Sequence, residues 1–245
     1  MPLRPFHSCT AWLTRSRTGR LCDITARMTA KARFPSYTLL ERIADLAVHV
    51  VGVVIMVAGA AWLGASVPHD ASWAARQSVF LYGTCLILVC ICSAAYNFCP
   101  ACRLKGGLQR VDQAMIFVAI ASTYTPFIII GGRGGLSLGF CGLLWGAALA
   151  GMCMKLFWFE KSQKYPVFPY LAVAWMFFLC PDPVFWHLPF QVVALIILGL
   201  VFYCIGTVFY NHEDLPFSNA LWHVMVVCGA STHIYAARRM IDTIA

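Results

Sequence analysis

The chain has 245 residues, 60% of them hydrophobic and only 11% charged, with a mean hydropathy of +0.74 and a formal net charge of +8. A soluble domain of this size needs far more polar surface, so lipid is the main solvent of this sequence. The positive charge does not mark a nucleic-acid binder, because eight of the 18 Lys+Arg lie at or before Arg42 and most of the rest sit in short loops, where they suit anionic lipid headgroups.

Residues 1–36 form a segment of their own, ahead of a membrane domain over residues 37–245. The segment carries Arg4, Arg15, Arg17, Arg20, Arg27, Lys31 and Arg33 against one acid, Asp23, with no apolar run of signal-peptide length. Three readings stay open: an Arg-rich presequence, a disordered basic tail, or a start upstream of the true one at Met28.

Apolar runs follow at residues 43–65, 76–98, 111–131, 135–156, 166–181, 189–210 and 219–237. Most approach the ~20 residues that cross a bilayer core as a helix. The fifth is short and is bracketed by Pro166, Pro169 and Pro181. Pro126 inside the third span is expected to kink it, with nearby hydroxyls serving the freed carbonyl. Asn211-His212-Glu213-Asp214 reads as a solvated turn, and Ser218 is placed to cap the seventh span. The fold class is therefore all-α, an integral membrane bundle of seven transmembrane helices.

Basic residues orient it. With the N-terminus inside, the inner segments hold 14 Lys+Arg and the outer ones four: Arg76, Arg133, Arg238 and Arg239. The N-terminus is expected to be cytoplasmic and the C-terminus outside.

Cysteine chemistry adds little. Eight of the twelve cysteines lie inside apolar runs, where they act as small hydrophobes rather than a disulfide framework. Cys99-Pro100-Ala101-Cys102 is a C-x-x-C pair, able in principle to bind metal or exchange disulfides. With no second pair and no βαβ pattern around it, the sequence reads it as two thiols near a loop.

Polar side chains inside spans are costly and mark functional positions. Glu41, Asp45 and His49 follow one another at i, i+4 spacing and share one face of the first span. Ser93 and Asn97 end the second span, Asp112 opens the third, and the seventh carries Asn219, His223 and His233. Given the orientation, all but His233 fall in one layer near the cytoplasmic face and can converge on one polar pocket. His233 lies about 15 Å further along its helix. A hydrogen-bonded network that only fixes helix packing is the competing account of any single residue.

At these residues the sequence resembles the hemolysin III family, within the progestin and adipoQ receptor superfamily. The matching pieces are Glu41 through His49 with Gly52, Ser93-Ala-Ala-Tyr96-Asn97, Val111-Asp112 through Ile116, and Ser122-Thr123-Tyr124-Thr125-Pro126. Gly151 with Lys155-Leu156, Tyr203 through Gly206, Phe209-Tyr210, Asn219-Ala-Leu-Trp222-His223 and His233 complete the set. The resemblance implies a seven-helix bundle in a bacterial inner (plasma) membrane. In typical members it also implies a zinc-dependent lipid amide hydrolase related to ceramidases. There, three histidines hold zinc, while a serine and an aspartate, here Ser93 and Asp112, support the metal-bound water. This chain departs from that pattern: Asn97 and Asn219 stand where two of the histidines belong, and only His223 remains.

A neutral amide oxygen is a poor substitute for imidazole, so no bound cofactor is expected. Retained zinc would need rescue from Asp112, Asp45, Glu41 or His49. The leading expectation is a receptor-like protein whose pocket, lined by Glu41, Asp45, His49, Asn97 and Asn219, binds a lipid or small amphiphile. In it Ser93 and Asp112 are the catalytic candidates should activity persist, and His223 is a remnant metal ligand. The first alternative is a zinc-dependent lipid amidase. The second is a pore, which no ring of charge supports. Expected partners are membrane lipids and not nucleic acid.

Overall fold

The computed structural model describes residues 37–100, 102–132, 135–163, 167–180, 188–212 and 214–243. The basic segment 1–36, the loop residues Pro181–Asp182–Pro183, His187 and Glu213 lie outside the described residues.

Among the described residues the structure is all helical. The helices are α1 (Leu39–Ser66), α2 (Trp73–Phe98), α3 (Arg103–Gly131), α4 (Gly135–Phe157), α5 (Phe159–Ser162), α6 (Phe168–Met176), α7 (Phe190–Asn211) and α8 (Ser218–Ile241). A 3₁₀ turn, Phe177–Leu179, extends α6. Six of these helices are long and apolar enough to cross a membrane: α1, α2, α3, α4, α7 and α8. The fifth apolar run of the sequence, 166–181, becomes α6 and its 3₁₀ extension. The twelve residues of Phe168–Leu179 reach roughly 18 Å, less than a hydrocarbon core.

Helix α1 turns polar groups inward and aliphatic ones outward. On α1 the buried positions are Asp45, His49, Gly52, Met56 and Leu63, spaced at three, four and seven, so the inward stripe carries the polar groups. Ile43, Leu46, Val50, Val54 and Val57 face outward. α3 is the central helix, with 56% of its most apolar window buried against 22% for α1, α4 and α7. Its Phe117, Ala121, Tyr124, Phe127 and Ile128 are almost wholly buried, and Tyr124 stacks on Phe177 with centroids 4.4 Å apart.

Helix α3 runs unbroken past Pro126. Around it the hydroxyls of Ser122 and Thr123 donate to the Ala119 carbonyl, and Thr125 donates to that of Ala121. Trp145 of α4 donates in turn to Thr125 Oγ1 at 3.0 Å, tying the two helices.

Without a hydrophobic drive between helices in lipid, close approach does the packing. At Gly52 an added Cβ would stand 2.8 Å from Val227 Cγ2, so α1 and α8 meet there with no room for a side chain.

Helix ends sort into two sets. The Phe217 N–H donates to Glu41 Oε1 at 3.0 Å, Asn219 Nδ2 to Asn97 Oδ1 at 3.0 Å, Arg110 to the Leu156 carbonyl at 3.4 Å, and Gln113 to Tyr210 Oη at 3.3 Å. The starts of α1, α3 and α8 and the ends of α2, α4 and α7 thus share one end of the bundle. At the other end, Arg239 near the end of α8 donates to Gln191 near the start of α7, and Trp62 stacks on Tyr235.

Two local expectations change. Ser218 is the first residue of α8 rather than its cap; the preceding Phe217 takes the left-handed conformation (φ 61°). Glu41, read from the i, i+4 pattern as a pocket residue, caps instead. Its Oε2 accepts from both the Thr38 N–H and hydroxyl at 2.8 Å, and Oε1 reaches Phe217. Thr38 and Glu41 form a reciprocal capping box on α1, and the free oxygen of that carboxylate holds the start of α8.

Candidate polar site

Asp45 sits at the centre of the cluster. Its Oδ1 accepts from His223 Nδ1 at 2.7 Å, joining α1 to α8. One turn along α1, His49 Nδ1 donates to the Asp45 backbone carbonyl at 2.8 Å. Carboxylates and carbonyls only accept, so both Nδ1 atoms carry the ring protons and both Nε2 atoms are left as lone pairs in the neutral rings.

The two Nε2 atoms converge. His49 Nε2 is 3.3 Å and His223 Nε2 3.4 Å from the same Ser93 Oγ, and the two ring centroids are 4.2 Å apart. One hydroxyl has one proton, so Ser93 can serve only one of the two rings. Asp112, in the third turn of α3, lies beside Ser93 and His223. Asp45 and His49 are nearly fully buried.

The two asparagines are spent on one another. Asn97 Nδ2 donates to the Ser93 carbonyl at 3.0 Å, while Asn97 Oδ1 accepts from Asn219 Nδ2 at 3.0 Å. They sit as a hydrogen-bonded pair at the Ser93 end of α2, with Asn97 Nδ2 also 3.4 Å from Ser93 Oγ. The three-histidine zinc arrangement implied by the resemblance does not fit these residues. Among the described residues, the set with metal-ligand proximity is instead Asp45, His49 and His223, whose candidate atoms lie within 4.8 Å of each other.

His49, Ser93, Asp112 and His223 line one end of a cavity of about 180 Å³. From there it runs between α1, α2, α3, α6, α7 and α8 past Met56, Leu86 and Tyr124 to His233. His233 is 2% exposed; its Nε2 donates to the Ile196 carbonyl at 3.0 Å, and no described group partners Nδ1. The Nε2–Cδ2 edge of the ring abuts Gly199, where an added Cβ would meet Nε2 at 2.2 Å.

Of the positions marked from sequence, the structure brings together Asp45, His49, Ser93, Asn97, Asp112, Asn219 and His223. It sets Glu41 apart at the bundle edge and His233 at the far end of the cavity. A second polar node had no part in the sequence reading. Gln163 donates to Gln113 Oε1 at 2.9 Å, Gln113 donates to Tyr210, and the Tyr170 hydroxyl donates to the Gln113 carbonyl at 3.0 Å. It joins α3, α6, α7 and the turn after α5. Its signal was a second polar side chain next to Asp112 inside an apolar run. Lys155 is likewise fully buried. Its ammonium sits 5.2 Å from the centre of the Tyr170 ring, with no hydrogen-bond acceptor among the described residues.

A multi-pass helical bundle with a deep cavity that ends in an Asp–His–Ser cluster defines a membrane protein with a polar pocket. The Haemolysin-III related family profile matches residues 39–234, and the chain belongs to that family. It is 27% identical over 199 residues to the Hemolysin-3 homolog of Bacillus subtilis (strain 168), covering 81% of this chain and 93% of that one. It is 25% identical over 208 residues to Hemolysin-3 of Bacillus cereus, covering 85% and 93%. Monocyte to macrophage differentiation factor of Homo sapiens is 26% identical over 218 residues, covering 86% and 88%.

Proposed function

We propose that the cavity binds an amphiphile, its polar group at Ser93, His49, His223 and Asp112 and its apolar chain along the walls toward His233. The observation that carries this reading is the cavity itself: long, apolar-walled, and closed at one end by hydrogen-bonding groups with unequal numbers of donors and acceptors. A site of this make-up suits a ligand with one polar end better than a wholly polar solute. The protein sits in a bacterial plasma membrane, with the start of α1 on the cytoplasmic side by its basic balance. α4 ends and α7 begins at opposite ends of the bundle, which supports a seventh crossing through α6.

Native mass spectrometry of the protein purified in mild detergent tests this reading. A bound amphiphile is expected in the wild type and is expected to be depleted in Ala119→Phe, which fills the wall, and in Ser93→Ala, which removes the polar end. Equal occupancy in all three proteins, or none in the wild type, would overturn it.

The converging Nε2 atoms of His49 and His223 favour a second reading, a metal-dependent lipid amide hydrolase with His49 and the Asp112 carboxylate replacing the missing histidines. Two imidazoles and a carboxylate reach the usual ligand count of a catalytic zinc. The Asp45–His223 contact has hydrogen-bond length, so Asp45 would orient His223 rather than share the ion with it. Equimolar zinc in purified protein, lost in His49→Ala, would replace the first reading by this one.

A further inference from the structure

Outside the polar site, the connection from α2 to α3 brings two thiols together. Cys99, immediately after α2, and Cys102, immediately before α3, are both free and partly exposed, with Sγ atoms 3.7 Å apart. A disulfide needs a sulfur separation near 2.05 Å, so closure asks for a local movement of about 1.7 Å.

The setting treats the two thiols differently. At the start of α3 the Lys105 and Leu104 backbone N–H groups hold the Cys102 thiol below its ordinary range, with the Lys105 ammonium adding to the effect. Removal from water pushes Cys99 the other way. The Lys105 ammonium is fixed in place, donating to the carbonyls of Cys99 at 3.0 Å, Tyr96 at 3.2 Å and Asn97 at 3.5 Å, and standing 5.0 Å from the Tyr96 ring centre. A cation shared by a close dithiol, with helix-start N–H groups beside one member, is the environment that makes that member a nucleophilic cysteine.

We propose that Cys99 and Cys102 form a thiol–disulfide exchange site at the membrane surface, oxidised by small disulfides of the glutathione class. Cys102 thiolate attacks one sulfur of the small disulfide, breaking its S–S bond, forming a mixed disulfide and releasing one small thiolate that takes up the proton Cys102 gave to solvent. Cys99 then loses its proton and attacks Cys102 Sγ, breaking the mixed disulfide and releasing the second small thiol. The protein dithiol loses two electrons, and the small disulfide is reduced to two thiols.

The test uses the full chain in detergent, equilibrated across a series of reduced-to-oxidised glutathione ratios, acid-quenched and mapped by tandem mass spectrometry. The expected result is loss of two hydrogens across Cys99 and Cys102 in a single two-electron transition. Cys99→Ser should accumulate glutathione on Cys102, and Cys102→Ser should show neither species. In the reduced wild type at pH 7, iodoacetamide is expected to alkylate Cys102 roughly tenfold faster than Cys99. A pair that stays reduced at every ratio, or glutathione spread without preference over the chain's cysteines, overturns the proposal. So does equal alkylation of the two thiols, which needs no variant to fold.

Discussion

Gly199 and His233 offer the sharpest quantitative test of how this bundle is packed. A methyl group at Gly199 would lie 2.2 Å from His233 Nε2 and 2.3 Å from Cδ2, whereas unstrained heavy atoms stand ~3.5–4.0 Å apart. The ring must therefore retreat by more than about 1 Å. It cannot do so freely, because His233 is 2% exposed and its Nε2 is bonded to the Ile196 carbonyl, one helical turn from Gly199. Losing that bond leaves a buried donor unserved, at about 1–3 kcal/mol. Overpacking adds about 1–3 kcal/mol. Gly199→Ala should thus destabilise the protein by ~2–6 kcal/mol. SDS-driven unfolding in mixed micelles, followed by ellipticity, measures this. The double variant Gly199→Ala/His233→Ala should cost clearly less than the sum of the two single changes, since the second removes what the first collides with. A loss below ~0.5 kcal/mol for Gly199→Ala, or strict additivity in the cycle, would refute the reasoning.

Two further outcomes are expected. Asn97→His/Asn219→His rebuilds three histidines around His223 and should bind equimolar zinc, read by elemental analysis. A metal-free double variant that remains folded would show that the end of α2 and the start of α8 are not spaced for a shared ion. Lys155→Met should leave the melting temperature unchanged or raise it, because the ammonium is fully buried over an aromatic face with no hydrogen-bond acceptor among the described residues. A loss above ~2 kcal/mol would mean that the charge is balanced by a group beyond the described residues.

The sequence was most informative where a single costly residue stood in an apolar run. Asp45, Ser93, Asp112 and His223 could each be read that way, and loop charges were enough to gather them at one end. Helical spacing alone could not separate Glu41 from Asp45, since both lie on the same face. What divides them is depth: Glu41 is in the first turn, where free N–H groups compete for its carboxylate. Gln113 was hidden for the opposite reason, being one residue from Asp112 and so about 100° away around α3, toward α6 and α7. The contact of Gly199 with His233 was not legible at all, because it joins two helices whose register no local pattern encodes. The fifth apolar run was seen, and its shortness between prolines carries through to the helical stretch Phe168–Leu179.

The Asp45–His223 hydrogen bond carries a consequence for how the protein is made. It joins residues 178 positions apart, one on the first membrane helix and one on the last. During synthesis, Asp45 and His49 enter the bilayer long before His223 exists, and the Asp45 carboxyl group has only His49 of its own helix beside it until α8 is in place. A chain truncated before α8 leaves that carboxyl group without His223, open to lipid or to whatever machinery surveys the membrane. The same contact that closes the pocket thus reports that the last helix has arrived.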